Sequence, residues 1–286
     1  MKRLVCFIST ASLLTLGLAA VPSLGAGPTR AADTEQQSAA DSMHGGGKLI
    51  EEALDEVQLR PDQKSEVEKL TAEAEKRHAP VKAAKKEFLT ALADQIEKGK
   101  LDRCALAPTV MALASAGAEA LPGDRAAFEQ LHSILDPEQR TTFVDALRRH
   151  WESLKKMHEP AALAEKMAKD LNLTESQKAS MEKVLAGLHE IRTAEPGYAA
   201  HRERWAKILD AFKGDRFALD EVAPMGDVAA HKTAHVEHRL WAGEAILGVL
   251  TPEQRKAVAD KIREHLKETA PAKQRLGPGL EPGEEE

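Results

Sequence analysis

The 286-residue chain has two cysteines, one tyrosine, three tryptophans and six phenylalanines, so aromatics make up only 3% of it. Few aromatics and 30% charged residues leave little with which to fill a thick core, and thin, extended helical units are the expected result. Strand signals are as scarce as aromatics. No alternating β-branched segment bounded by turn pairs appears, which excludes sandwich and barrel classes. No catalytic pattern survives inspection either. Gly45-Gly46-Gly47-Lys48 has Leu49 where a phosphate loop needs a hydroxyl residue and has no strand before it, and His235-Val236-Glu237-His238 is too closely spaced for a zinc protease helix. The chain is therefore expected not to be an enzyme. A net charge of −6 argues against nucleic acid as a partner.

The ends are distinct in composition. Lys2 and Arg3 precede an apolar stretch from Leu4 to Val21, followed by small residues near Ser23, Gly25 and Ala26, so residues 1–26 read as a cleaved secretory signal with a periplasmic destination. No other segment is expected to span a bilayer, which leaves an uncleaved signal as the only membrane attachment. Cleavage there removes two bases and no acid, taking the net charge to about −8, and leaves Cys104 as the single cysteine. No internal disulfide can then form, and Cys104 reads as a small buried apolar residue or as an intermolecular bridge. Residues 27–46, rich in Ala, Gly, Gln and Ser, read as a flexible tether. Residues 269–286, with three prolines and a closing Glu284-Glu285-Glu286, read as a disordered acidic tail.

What remains is organised by a repeat. Leu-x-x-x-Gln occurs as Leu59–Gln63, Leu135–Gln139, Leu173–Gln177 and Leu250–Gln254. The leucines of each pair lie 76 and 77 residues apart, and the pairs are offset by 114 and 115. Pro80 and Pro196, Gly99 and Gly214, Pro108 and Pro224, Arg148 and Arg263, and His150 and His265 recur at nearly the same offset, 115 or 116 residues. A repeat this long is a folding unit, so 47–158 and 159–268 read as tandem copies of one helical domain. Helical periodicity runs through both: Leu49, Ala53, Leu54 and Val57 share a face, as do Val184, Leu188 and Ile191. Each copy reads as about four segments: a short opener, a long helix broken near Pro80 or Pro196, a third element beyond Pro108 or Pro224, and a closer that begins at the second motif. The motif explains itself as a helix start. Thr251 or Thr174 caps, Pro252 suits the first helical position, and Gln254 or Gln177 reaches back to the cap amide. Arg60 cannot cap, which predicts the weakest start of the four at that position.

A signal followed by about 110 helical residues with two Leu-Thr-x-x-Gln motifs some 75 apart resembles the Spy/CpxP family of periplasmic stress proteins. The resemblance covers 47–268, twice over. Leu173-Thr174 with Gln177 and Leu250-Thr251 with Gln254 match fully, while Asp136 and Arg60 depart from the threonine. It implies a thin, curved all-α unit that pairs into a cradle, and here the two copies are expected to pair within one chain. It also implies an ATP-independent chaperone that takes unfolded or misfolded envelope proteins. The alternative function is a metal-binding accessory to a sensor kinase or metal-response system. For that role the residues are His231, His235 and His238, which fall within an arc of roughly 60° on a helix and could contribute ligands to Zn²⁺ or Cu²⁺. An adaptor that uses the acidic tail is a third class. His150 and His265 read as cations in the last turns of their helices.

Overall fold

The computed structural model describes residues 46–194, 196–224 and 228–268, and those residues contain helices and no strand. The first repeat comprises α1 (Gly46–Asp55), α2 (Pro61–Arg77), α3 (Ala79–Lys98), α4 (Arg103–Ile134) and α5 (Pro137–Met157). The second comprises α6 (Pro160–Leu171), α7 (Glu175–Ala194), α8 (Pro196–Phe212), α9 (Leu219–Val222), α10 (Val228–Leu247) and α11 (Pro252–Glu268). The signal, most of the tether and the acidic tail lie outside the described residues.

Local chemistry accounts for the boundaries. Pro80, in the first turn of α3, brings no N–H to continue the ladder of α2, and the chain breaks at His78. Gly99 closes α3 in the left-handed conformation at φ 74°, where its N–H reaches the carbonyls of Gln95 and Ile96. Asn172 closes α6 in the same region.

The boundary expected at Pro108 needs correction. The third element of the first repeat does not begin beyond Pro108, because Asp102 caps α4 upstream by accepting from Ala105 N at 3.1 Å. The helix then runs 32 residues through both Pro108 and Pro122. In the second repeat Pro224 follows the four-residue α9, and α10 restarts at Val228. By length and composition alone, α4 is also long and apolar enough to cross a membrane. It packs against α2, α3 and α10, however, and carries a buried Asp124, so it serves as the central helix of a folded unit. Cys104, in its first turn, is exposed rather than buried.

Two apolar cores form, and neither belongs to one repeat. The first joins α1, α2, the second half of α4 and α5 to Ile208, Leu209 and Phe212 of α8 and Leu219 of α9. The second joins α6, α7, α10 and α11 to Phe88, Leu89 and Ile96 of α3 and to Leu106, Val110 and Leu113 in the first half of α4. Each repeat thus contributes its motif end to one core and its far end to the other. The pairing is an intrachain pseudo-dimer. Phe212 and Phe88, both almost fully buried, are the large anchors exchanged, each contributing about 1.5–3 kcal/mol by burial.

Polar contacts across the pairing repeat with the sequence. Arg148 on α5 donates to Asp210 on α8 at 2.6 Å, and Arg263 on α11 donates to Asp94 and Glu97 on α3, both at 2.7 Å. His150 does not sit in a last turn. It lies within α5 and faces Glu52 of α1 and Glu56 just beyond it, with Nε2 3.0 Å from the Glu56 carboxylate, so these carboxylates rather than a helix dipole are its partners.

Candidate functional site

The four motifs fold into two clasps. Gln63 starts α2 and Gln139 starts α5, and their carboxamides meet side by side. Gln63 Nε2 donates to Gln139 Oε1 at 2.7 Å, and Gln139 Nε2 donates back to Gln63 Oε1 at 3.0 Å. Each amide uses its second hydrogen on a backbone carbonyl: Gln63 on Ile134 O at the end of α4 and Gln139 on Gln58 O in the loop before α2, both at 2.7 Å. Each Oε1 also accepts its own cap N–H, from Arg60 and Asp136, at 2.9 Å. Both carboxamides are therefore saturated, which is what allows Gln63 to be buried.

The second repeat builds the same device. Gln177 donates to Gln254 at 2.8 Å and to Val249 O at 3.0 Å. Gln254 donates to Gln177 at 3.2 Å and to Leu171 O at 3.4 Å. Here Thr174 and Thr251 also accept from the N–H groups of Gln177 and Gln254, as a capping box requires. Leu135 and Leu250 are buried beneath the clasps, while Leu59 and Leu173 are partly buried against the same cores. The motif is thus a structural staple between two helix starts, with no free polar group left for chemistry.

The two departures from threonine face one another. Arg60 donates to the Asp136 carboxylate, and both side chains are about half exposed. An arginine has no acceptor with which to cap a helix, so the start of α2 keeps only the glutamine half of the box.

The glutamine of each second motif is followed by an arginine, and both arginines reach the far end of the other repeat. Arg140 Nη1 donates to Gly214 O at 2.7 Å. Arg255 lies against Gly99, where an added Cβ would meet its Nη1 at 2.6 Å. Gly214 O also accepts from His132 Nε2 at 2.8 Å. The His132 ring sits among Phe212 and Phe217, and this burial pushes its pKa down. Between the two cores, buried Asp124 receives Arg77 Nε and His78 Nε2, each at 2.8 Å, and so pins the α2–α3 break to α4. Sequence reasoning missed His132, Asp124, Arg140 and Arg255. The matched Gln-Arg steps at the repeat offset were the available signal for the two arginines.

One surface stands apart. From Cys104 to Ala118 there is no charged residue, although the chain is 30% charged. Ala105, Pro108, Met111, Ala112 and Ser115 are exposed along α4 at helical spacing, Met111 at 64%. The matching stretch of the second repeat carries Asp220, Glu221, Asp227 and Lys232. The apolar face therefore belongs to one repeat. The α10 backbone carries His231, His235 and His238, whose side chains lie outside the described residues. On the same helix Val236, Leu240, Gly243 and Leu247 are buried, as their spacing predicts. No group of three potential metal ligands occurs among the described residues.

Compared with known proteins, the chain matches the profile of the LTXXQ motif family twice, over residues 45–147 and 161–262. No curated protein and no solved structure matches it.

Proposed function

The chain belongs to the LTXXQ motif family, and from that premise we propose that it is an ATP-independent holdase for unfolded or misfolded envelope proteins. The family's Spy- and CpxP-like members are periplasmic envelope-stress proteins of non-catalytic type. The observation that carries the reading is the exposed, uncharged face of α4 around Met111, set in a surface otherwise dense in charge. Small apolar side chains with one flexible thioether adapt to many sequences and hold none tightly. Surrounding charges draw the client in at long range, so binding is expected to be micromolar and to weaken as salt rises. Release then needs no nucleotide.

The test is light scattering of a chemically denatured client without ATP. The whole protein at near-stoichiometric amounts is expected to suppress aggregation, and Met111→Asp to lose most of that protection while its helical circular dichroism and thermal midpoint stay unchanged. No protection by the unaltered protein discards the reading, and full protection by the variant removes α4 as the surface. The metal-binding alternative rests on the spacing of His231, His235 and His238 alone. Calorimetry with Zn²⁺ or Cu²⁺ on the unaltered protein and on His235→Ala decides it, and the same scattering assay with and without metal shows whether the two roles join.

A further inference from the structure

We propose that the surface that joins the two repeats also accepts the complementary repeat of a second copy of this chain, so that two chains exchange repeats and close into a reciprocal dimer. Neither core is complete within one repeat: the first needs Phe212 and Leu209 from the second repeat, and the second needs Phe88 and Ile96 from the first. What completes them is a surface, and another copy presents the same surface. The polar contacts are equally transferable, because Arg148–Asp210, Arg263–Asp94 and Lys213–Asp145 all join side chains of different repeats.

The covalent joint is small. Only His158 and Glu159 separate α5 from α6. His158 closes α5 through its N–H and ring Nδ1, both directed at Leu154 O, at 3.1 and 2.6 Å. Glu159 is already extended ahead of Pro160, as a residue before proline prefers. Rotation at these two residues redirects the second repeat without disturbing an interior contact of either motif clasp. A short joint between two units whose interface is fully reusable is the geometry that favours exchange. Closure within one chain enjoys an effective concentration of about a millimolar, so dilute protein is monomeric and exchange becomes competitive as chains fold together near that concentration.

The experiment uses the unaltered chain. Equal amounts of ¹⁴N- and ¹⁵N-labelled protein are unfolded together, refolded at about 1 mM and at about 1 µM, and separated by size with mass measured by light scattering. A carbodiimide then joins Lys213 to Asp145, whose Nζ and Oδ1 are 2.6 Å apart across the repeats. The expected result is a dimer enriched at the high concentration, in which roughly half of the Lys213–Asp145 cross-linked peptides combine one light and one heavy half, as random pairing of two exchanged chains requires. The monomer fraction is expected to give only uniformly labelled cross-links. Monomer alone at both concentrations, or a dimer whose Lys213–Asp145 cross-links are all uniformly labelled, overturns the proposal.

Discussion

Gln63 and Gln139 each donate to the other's carboxamide oxygen, at 2.7 and 3.0 Å, and so lock the starts of α2 and α5 together. Every hydrogen and lone-pair direction of the two amides is in use, so removing one side strands the other. Gln63→Leu deprives Gln139 of a donor and an acceptor and frees the Arg60 N–H and the Ile134 carbonyl. A loss of about 1–3 kcal/mol is expected in chemical denaturation. The double variant Gln63→Leu/Gln139→Leu is expected to cost less than the two single changes added, with a coupling of about 1 kcal/mol. Strict additivity would show that the clasp is two independent caps.

Gly99 combines two constraints that can be separated. Its φ of 74° suits glycine, and a Cβ there would fall 2.6 Å from Arg255 Nη1. Gly99→Ala is expected to lower stability by about 1–2 kcal/mol, from the left-handed conformation together with displacement of the guanidinium. In an Arg255→Ala background the steric part disappears and only the backbone part remains. A double-mutant cycle in urea measures the difference, and equal costs in both backgrounds would mean that Arg255 simply moves aside.

Helix content, the tandem repeat and the capping role of the motif were legible because they rest on short-range patterns: apolar spacing, hydroxyl–Pro–Gln steps, and landmarks recurring at a fixed offset. The pairing of the copies was an expectation from resemblance, and the residues that make it show why periodicity alone does not reach that far. Arg148 and Arg263 stood out as matched positions, but their partners Asp210 and Asp94 are ordinary surface acids until the far end of the other repeat is brought alongside. Cys104 was misplaced because its neighbours are apolar. The face it occupies is left uncovered, and no local pattern distinguishes an apolar face that is covered from one that is not.

His132 makes the first core sensitive to acid. Burial among Phe212 and Phe217 lowers its pKa below the ordinary imidazole value, with the nearby Arg140 acting in the same direction. The unfolded chain therefore binds this proton more readily than the folded one. The sign follows: the stability tied to a neutral His132 is fully present above about pH 6.5 and is lost as pH falls below it towards the folded-state value. His132→Gln keeps a donor for Gly214 O and cannot titrate. Denaturation midpoints between pH 7.5 and pH 5, taken roughly across the ordinary imidazole value, are expected to fall more steeply for the unaltered protein than for the variant. Parallel curves would show that protonation of this ring is not felt by the fold.

Asp124 lies on the central helix with 1% of its side chain exposed and holds Arg77 and His78 at the α2–α3 break. A buried carboxylate is tolerated because two donors meet it, and the Arg77 guanidinium is kept in place by the same contact. Asp124→Asn preserves shape and removes the charge, leaving a largely buried guanidinium without its counter-ion, and a loss of about 3–5 kcal/mol is expected. Arg77 Nη2 is buried and has no hydrogen-bond partner among the described residues, so the guanidinium depends on its Nε contact with Asp124. The damage should also be localised: hydrogen exchange is expected to accelerate first around residues 74–82, where the helix break loses its pin, while amides near the second clasp at Gln177 and Gln254 keep their protection. Asp124→Asn/Arg77→Met, which removes both charges, is expected to recover much of the loss. Recovery would assign the cost to the stranded cation, and its absence would assign it to lost packing of α2 and α3 on α4.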